Sequence, residues 1–174
     1  MKPSGNRDEL CYPFIHERAS LCDFEVVTDE LCALVGAAMA ALDDQFEDVW
    51  ADLATLQPMV FHVNGSIRGR LAVAEADLVW LQARLCHYRD ALSGTVQGFV
   101  LPRGAAPVPQ LHQARSAAKK AIRWMVRVEM EGKTVPDILP RFCNMMCNFF
   151  FVLTLTINAR RGLAEVPFVS RSYG

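Results

Sequence analysis

The chain has 174 residues, of which 52% are hydrophobic and 21% charged, and its formal net charge is −1. This length suits one domain with a substantial core, and the apolar surplus favours self-association, because one small bundle has a limited interior. The near-neutral charge argues against nucleic acid as the main ligand, since the phosphate backbone needs a cationic surface.

Residues 1–24 predict an irregular N-terminal arm. They show no sustained hydrophobic period and contain Pro3, Gly5 and Pro13. No apolar stretch typical of a signal peptide follows the polar start, and the spacing of the six cysteines matches no metal-binding motif. We therefore expect reduced thiols, a cytoplasmic protein and no metal site.

The remainder predicts an all-α antiparallel five-helix bundle over residues 25–162, followed by a frayed tail at 163–174. The first helix should open near Thr28 as its N-cap, and the others should cover about 46–63, 73–92, 110–131 and 135–159. Pro58 should kink or break the second helix. The uncharged run 142–157 is too short and polar to span a bilayer, so we expect a buried core helix. No β-hairpin pattern is present.

The fourth predicted helix carries the clearest functional pattern. Arg115, Lys119 and Arg123 recur every four residues and share one face, with Lys120 beside them. A solvated face is the usual explanation of such cations, but no acidic residue accompanies these before Glu129. A row of unpaired cations also suits a polyphosphate or an anionic side chain from another subunit.

Two further groups of polar residues have two interpretations each. Asn144 and Asn148 share a face of the fifth helix, either as core amides bonded to neighbouring helices or as ligand contacts. The segment 64–70 contains two glycines, Ser66 and Arg68. It is either a loop that ends a helix, with solvated arginines, or a phosphate cradle whose backbone N–H groups converge.

Several motifs together resemble the PduO-type ATP:corrinoid adenosyltransferases over about residues 24–160. The most specific is Phe-Val-Leu-Pro-x-Gly at 99–104, followed by Leu-His-x-Ala-Arg at 111–115. Three other helices of the family are matched by Asp-Glu-Leu at 29–31 with Gly36, by the segment 73–81, and by Asn144 with Phe-Val-Leu at 151–153 and Asn158.

The resemblance implies a homotrimer of five-helix bundles in which ATP and cobalamin meet at subunit interfaces. In this family Co(I) attacks the 5′-carbon of ATP and triphosphate leaves, with Mg²⁺ expected if this chain is catalytic. Phe99 would displace the lower ligand of the corrinoid, and Arg115 would pair with Asp29 of another subunit. The expected further partner is a corrinoid-dependent enzyme or a reductase. The nucleotide side would be formed by Lys119, Lys120, Asn144 and Asn148.

The chain departs from the family at nucleotide-binding positions. The family's glycine-rich phosphate loop has no counterpart in residues 1–24, and Lys119 and Lys120 replace two arginines. Lysine keeps the charge but loses the planar two-pronged hold on phosphate. Two functions therefore remain open: a divergent adenosyltransferase with Ser66 and Arg68 as a replacement cradle, and a non-catalytic corrinoid or tetrapyrrole carrier or sensor. A purely structural trimer would leave Phe99 and the cation row unexplained.

Overall fold

The computed structural model describes residues 5–92 and 98–172, and over these ranges the chain forms five α-helices and one short antiparallel ribbon. The prediction of an all-α bundle is confirmed. α1 packs against α2 and α4, α4 packs against α5, and α5 packs against α3. The elements are α1 (Ser20–Ala40), α2 (Glu47–Gly65), α3 (Glu75–Ala91), β1 (Phe99–Val100), α4 (Val108–Met130), α5 (Ile138–Arg160) and β2 (Pro167–Phe168).

The first helix begins about two turns earlier than predicted. Thr28, the predicted N-cap, is buried inside α1, where its hydroxyl donates to the carbonyl oxygens of Phe24 and Glu25 at 2.8 and 3.0 Å. The start of α1 is instead held by Glu131, a residue 111 positions away, whose Oε2 accepts from the Ser20 backbone N–H at 3.0 Å. The predicted boundary after residue 24 therefore falls inside α1, and the residues 1–4 of the predicted arm lie outside the described ranges.

α5 is the principal core helix of the bundle. Phe142, Phe149 and Phe150 on this helix are completely buried. By length and composition α5 could cross a membrane, but 67% of its most apolar window is buried inside the bundle. Packing in the core therefore accounts for its hydropathy, as the sequence predicts.

α2 continues through Pro58, so of the predicted kink or break the break does not occur. On the inner side of this helix Asp52 accepts hydrogen bonds from the Tyr88 hydroxyl at 2.7 Å and from Arg84 Nε at 2.8 Å. Burial, together with the bond to Asp52, raises the pKa of Tyr88. These bonds join α2 to α3. The polar groups of Asp52, Arg84 and Tyr88 therefore have partners within the chain.

Antiparallel packing collects the connecting segments at two ends of the bundle. The loop end contains residues 98–107, the tail 161–172 and the α1–α2 connection, where Arg161 Nη2 lies 2.9 Å from Asp43 Oδ2. The arm end contains the N-terminal arm 5–19, the start of α1 and the residues that follow α2, where Arg68 contacts Glu17 of the arm at 2.8 Å. The predicted site residues are divided between these two ends and the helix faces that connect them.

Candidate functional site

Phe99 lies on β1 at the loop end and is 74% exposed. β1 pairs with β2 so that Phe99 is directly opposite Phe168, which is 48% exposed. Opposite residues of an antiparallel ribbon project from the same face, so these two side chains, called the aromatic pair below, are both exposed on one face of the ribbon. A cluster of exposed aromatic surface of this kind is typical of a ligand contact. The sequence does not predict Phe168 or the ribbon, because two-residue strands leave no periodic pattern and the Gly- and Pro-containing tail predicts a frayed end.

Asn158 anchors the loop that carries Phe99. Its side chain is 3% exposed, near the C-terminal end of α5. Its Nδ2 donates to the Arg103 carbonyl oxygen at 3.0 Å and to Glu165 Oε1 at 2.8 Å. One buried amide therefore binds both the segment after β1 and the segment before β2.

The same anchor requires glycine at position 104. Gly104 has φ +148°, and a Cβ at this position would lie 2.6 Å from Asn158 Oδ1 and 2.8 Å from a methyl group of Val108. A further bond, from the Leu101 N–H to the Val166 carbonyl oxygen at 2.8 Å, holds the loop against the tail. The Leu-Pro-x-Gly motif thus presents Phe99 on a fixed support, and the tail segment 165–168 belongs to that support.

Arg115 is half-buried on the side of α4 that faces α5. Its guanidinium carbon lies 4.7 Å from the ring centroid of Phe151. Since α4 and α5 are antiparallel neighbours, the next turn of α4, with Lys119, lies at the level of Asn148. Asn148 and Asn144 are both exposed, so they are not core amides. Arg115, Lys119 and the two amides therefore follow one face of the α4–α5 pair.

Lys120 lies on the side of α4 that faces α1, the helix to which Asp29 belongs. Lys120 Nζ lies 3.6 Å from Glu30 Oε2 on α1, and the neighbouring Asp29 is exposed. Among the described residues, Asp29 and Arg115 form no ion pair with each other. Their predicted pairing across a subunit interface stays a prediction, and it requires a second copy of the chain.

Arg68 is fully engaged within the chain. Its Nε and Nη2 donate to the buried carboxylate of Glu25 at 2.6 and 2.8 Å, and its Nη1 and Nη2 donate to Glu17 at 3.1 and 2.8 Å. The guanidinium carbon also lies 3.7 Å from the ring centroid of Phe14. The bonds to Glu25 and Glu17 raise the pKa of Arg68, and the bonds from Arg68 lower the pKa of Glu17. Arg68 therefore fixes the arm to the bundle.

Ser66 is equally unavailable to a ligand. It is 3% exposed, and its hydroxyl donates to the His62 carbonyl oxygen and accepts from the Ala72 N–H at 3.0 Å. The phosphate cradle predicted at Ser66 and Arg68 is not formed in this structure, because both side chains are bonded to groups of the chain itself. The segment ends a helix, which is the other interpretation that the sequence allows.

A groove of about 450 Å³ lies between the arm and the face of α1 that carries Asp29. Burial, with the bond to Glu25, raises the pKa of Tyr12 in this groove to about 12, so its phenol stays protonated at neutral pH. The lining carries two carboxylates and no cation, which disfavours a phosphate there. The lining residues are Cys11, Tyr12, Ile15, Glu25, Val26, Asp29, Phe61 and Asn64.

His112, in the Leu-His-x-Ala-Arg motif, has a buried Nδ1 with no hydrogen-bond partner among the described residues. Burial, and secondarily the charge of Arg115, lower the pKa of His112. The imidazole is therefore neutral at pH 7. The described residues include no group of three or more His, Cys, Asp or Glu that could hold a metal ion.

Comparison with known proteins identifies similar chains. The family model described as cobalamin adenosyltransferase matches residues 21–157. The corrinoid adenosyltransferase of Bacillus subtilis (strain 168) is 30% identical over 147 residues, which cover 80% of this chain and 75% of the relative. The cobalamin adenosyltransferase of Cupriavidus metallidurans (strain ATCC 43123 / DSM 2839 / NBRC 102507 / CH34) is 30% identical over 141 residues, covering 79% and 74%.

Solved structures share the fold at lower identity. A variant of the PduO-type ATP:corrinoid adenosyltransferase from Lactobacillus reuteri, complexed with ATP, aligns with a TM-score of 0.80 at 20% identity, over 87% of this chain and 89% of that one. Another variant of the same protein, complexed with cobalamin and ATP, aligns with a TM-score of 0.76 at 20% identity, over 86% and 83%.

Proposed function

This chain belongs to the cobalamin adenosyltransferase family, and we propose from that premise that it transfers the 5′-deoxyadenosyl group of ATP to the cobalt of cob(I)alamin. The observation that carries this function is the exposed pair of Phe99 and Phe168 on a loop that Asn158 fixes. The pair would contact the corrinoid, while the cations and amides of the α4–α5 face would contact ATP.

The reacting atoms, the cobalt and C5′, both belong to the substrates. The chain has to hold the two substrates close to each other. The electron pair of Co(I) forms a bond to C5′ of ATP, the C5′–O bond breaks, and its electrons leave with the triphosphate. The cobalt is thereby oxidised as it gains the alkyl ligand. No side chain has to donate or accept a proton in this step, so the contribution of the protein is orientation and compensation of charge.

The aromatic pair would act on the corrinoid side. Phe99 and Phe168 supply no atom that can ligate cobalt, and they cover surface that water or the corrinoid's own lower ligand would otherwise occupy. Removing a ligand favours the reduced, low-coordinate cobalt that the transfer needs. A fixed loop reduces the conformational entropy that is lost when the corrinoid binds.

The nucleotide side would be shared between two copies of the chain. We infer a homotrimer in which Arg115 of one copy meets Asp29 of the next, bringing together a group of α4 and a group of α1 that form no ion pair within the described part of a single chain. Val26 and Phe61 lie beside Asp29 in the groove and are 48% and 54% exposed. Their exposed apolar surface supports a subunit interface there, in which a second copy covers it.

Light scattering on the purified protein tests this assembly. The expected result is a stable trimer that Asp29→Arg or Arg115→Asp weakens, with the double exchange restoring it because the opposite charges are paired again. A stable monomer at micromolar concentration would contradict the shared site.

Adenosyl transfer tests the function itself. Reduced cobalamin and ATP are mixed with the protein, and formation of the cobalt–carbon bond is followed in the visible spectrum. Phe99→Ala should lower the rate by about 30-fold or more, the effect of losing an aromatic hot spot of at least ~2 kcal/mol. The control is Val169→Ala, since Val169 is 87% exposed on the same tail and should matter little. Binding of cobalamin without any transfer in the wild type would instead favour a carrier.

A further inference from the structure

The loop that carries Phe99 is also held at its other end, where it leads into α4. Ala106 is the second residue before α4, and its carbonyl oxygen accepts a hydrogen bond from Arg161 Nη1 at 2.6 Å. Arg161 directly follows α5, three residues after Asn158, whose amide binds the carbonyl oxygen of Arg103 at 3.0 Å. Two side chains at one end of α5 therefore hold two carbonyl groups that are three residues apart in the loop.

The guanidinium of Arg161 is itself fixed by the α1–α2 connection. Its Nη2 donates to Asp43 Oδ2 at 2.9 Å, and its guanidinium carbon lies 4.9 Å from the ring centroid of Phe46, which is completely buried. Asp43 Oδ1 also accepts from the Gln45 backbone N–H at 3.3 Å, which orients the carboxylate. A guanidinium held at its edge and at its face has little freedom to move, so the carbonyl group that it binds is fixed as well.

Arg160 shows what the same residue type does without a bond to the loop. Its two terminal nitrogens donate to the carboxylate oxygens of Asp48, each at 2.7 Å, and its guanidinium carbon lies 6.0 Å from the same ring of Phe46. Among the residues that the structure describes, its side chain donates to no group of the loop 98–107. Two neighbouring arginines therefore contact one aromatic ring and each bind one aspartate, and only Arg161 also binds the loop.

The position of this loop matters for the reaction because it connects the two substrate sides of the proposed site. Phe99 at its start would contact the corrinoid, and the helix at its end, α4, carries Arg115 and Lys119 on the face that would contact ATP. The β1–β2 pairing and Asn158 hold residues 99–103, and Arg161 holds the segment between these residues and α4. Arg161 therefore helps to set where the ring of Phe99 stands relative to α4.

We propose that Arg161 is a positioning residue for adenosyl transfer, which fixes the ring of Phe99 against the lower face of the corrinoid by binding Ala106 and Asp43 together. This inference rests on the proposed function. The family model matches residues 21–157, so Arg161 lies outside the matched segment. Arg161 acts through the loop and not on the reacting atoms, and its effect on the rate comes from the placement of Phe99, because a displacement of about 1 Å can slow a reaction ~100-fold.

Visible spectra of bound cob(II)alamin test the proposal, because they distinguish cobalt with and without its lower ligand. The variants are Arg161→Ala and the matched control Arg160→Ala, which removes an arginine from the same helix end together with its bonds to an aspartate. Both changes should lower the urea midpoint of unfolding. Only Arg161→Ala should reduce the fraction of cob(II)alamin that has lost its lower ligand, and it should lower kcat by about tenfold to a hundredfold with the KM for ATP nearly unchanged.

The conservative variant separates positioning from simple loss of charge. Arg161→Lys should recover part of the spectral change and part of kcat, since it keeps the charge but has one nitrogen in place of the two that bind Ala106 and Asp43. If Arg161→Ala does not fold, Asp43→Asn and Asp48→Asn take the place of the two arginine variants. Each removes the charge that holds one arginine, so the spectral change should again be confined to Asp43→Asn.

The comparison of the two arginines decides the outcome. Equal spectra and equal kcat in Arg161→Ala and Arg160→Ala, with both variants less stable, would make Arg161 a structural residue and overturn the proposal. If the wild type transfers the adenosyl group while these variants do not differ, the inference fails and the proposed function stands. A wild type that binds no cob(II)alamin would reject the proposed function and the inference together.

Discussion

The loop end and the arm end of the bundle are both held by a buried polar anchor, but the two anchors have different consequences for binding. At each end a buried polar group bonds to two segments that are distant in sequence: Asn158 joins the β1 loop to the tail, and Glu25 with Arg68 joins the arm to the residues after α2. At the loop end the anchor leaves Phe99 exposed. At the arm end the anchor includes Arg68, the residue that the sequence offered as part of a phosphate cradle.

This difference shows what separates a binding group from a structural one of the same type. Arg68 and Arg127 are both arginines near an aromatic ring, at 3.7 and 4.6 Å from Phe14 and Trp124. Arg68 also has two carboxylate partners, and Arg127 has none among the described residues. The hydrogen-bonding capacity that remains after folding therefore decides which of them can bind an anion.

The largest expected effect comes from Arg68→Ala, which tests whether the arm end is structural. The change leaves the carboxylate of Glu25, 4% exposed, without its cationic partner. The free energy of unfolding should fall by about 3 kcal/mol, as measured by urea denaturation, because an unpaired buried charge remains. ATP affinity, measured by calorimetry, should be unchanged. Arg70→Ala, at an exposed position nearby, is the control. A loss of ATP affinity with unchanged stability would restore the phosphate cradle and break the comparison.

At the loop end, Asn158→Ala should have the next largest effect. The carbonyl oxygen of Arg103 and the carboxylate of Glu165 lose their common donor, so the free energy of unfolding should fall by about 1–3 kcal/mol. Corrinoid affinity should fall too, since the support of Phe99 is loosened. Urea denaturation and titration with cob(II)alamin measure the two effects, with Gln82→Ala on the surface of α3 as the control. Lower stability with unchanged corrinoid affinity would show that the anchor does not position Phe99.

Phe168→Ala tests the distinction between binding and structural groups, because it removes a side chain that the fold does not need. Its loss should weaken corrinoid binding by about twofold to tenfold, since one of the two exposed rings that would cover the ligand is removed. The free energy of unfolding should barely change, because Phe168 is 48% exposed. Visible spectra of bound cob(II)alamin measure the affinity. An equal loss in Val169→Ala would show that the tail acts as a whole, without a special role for the aromatic ring.

The smallest expected effect is the pH dependence of stability that His112 adds beside the loop end. Burial and Arg115 lower its pKa, so the unfolded chain takes up a proton first when the pH falls below about 6.5. Stability should therefore be highest above that pH and decrease toward the lower pKa of the folded state. Thermal melts between pH 5 and 8 would show the slope, and His112→Gln should reduce it while His87→Gln at an exposed site should not. An unchanged slope in His112→Gln would assign it to other groups.

The helices, and the helix faces that carry the candidate site residues, could be predicted because their patterns are local. The cations of α4 repeat every four residues, and the apolar run of α5 gives a core helix whatever surrounds it. The motif around Phe99 also lies within one short segment. The start of α1 could not be predicted, because its partner Glu131 is 111 positions away.

The sequence by itself determined five helical segments, an aromatic residue in a Pro- and Gly-rich loop, and a face of α4 with four cations. The tertiary structure decided which of these groups are free to bind. It places Phe168 opposite Phe99, and it pairs Arg68 with Glu25 and Glu17, which are 43 and 51 positions away. Helical periodicity repeats every 3.6 residues and can be read within one segment. The pairing of a charge depends on which distant segments pack beside it, and no local pattern contains that information.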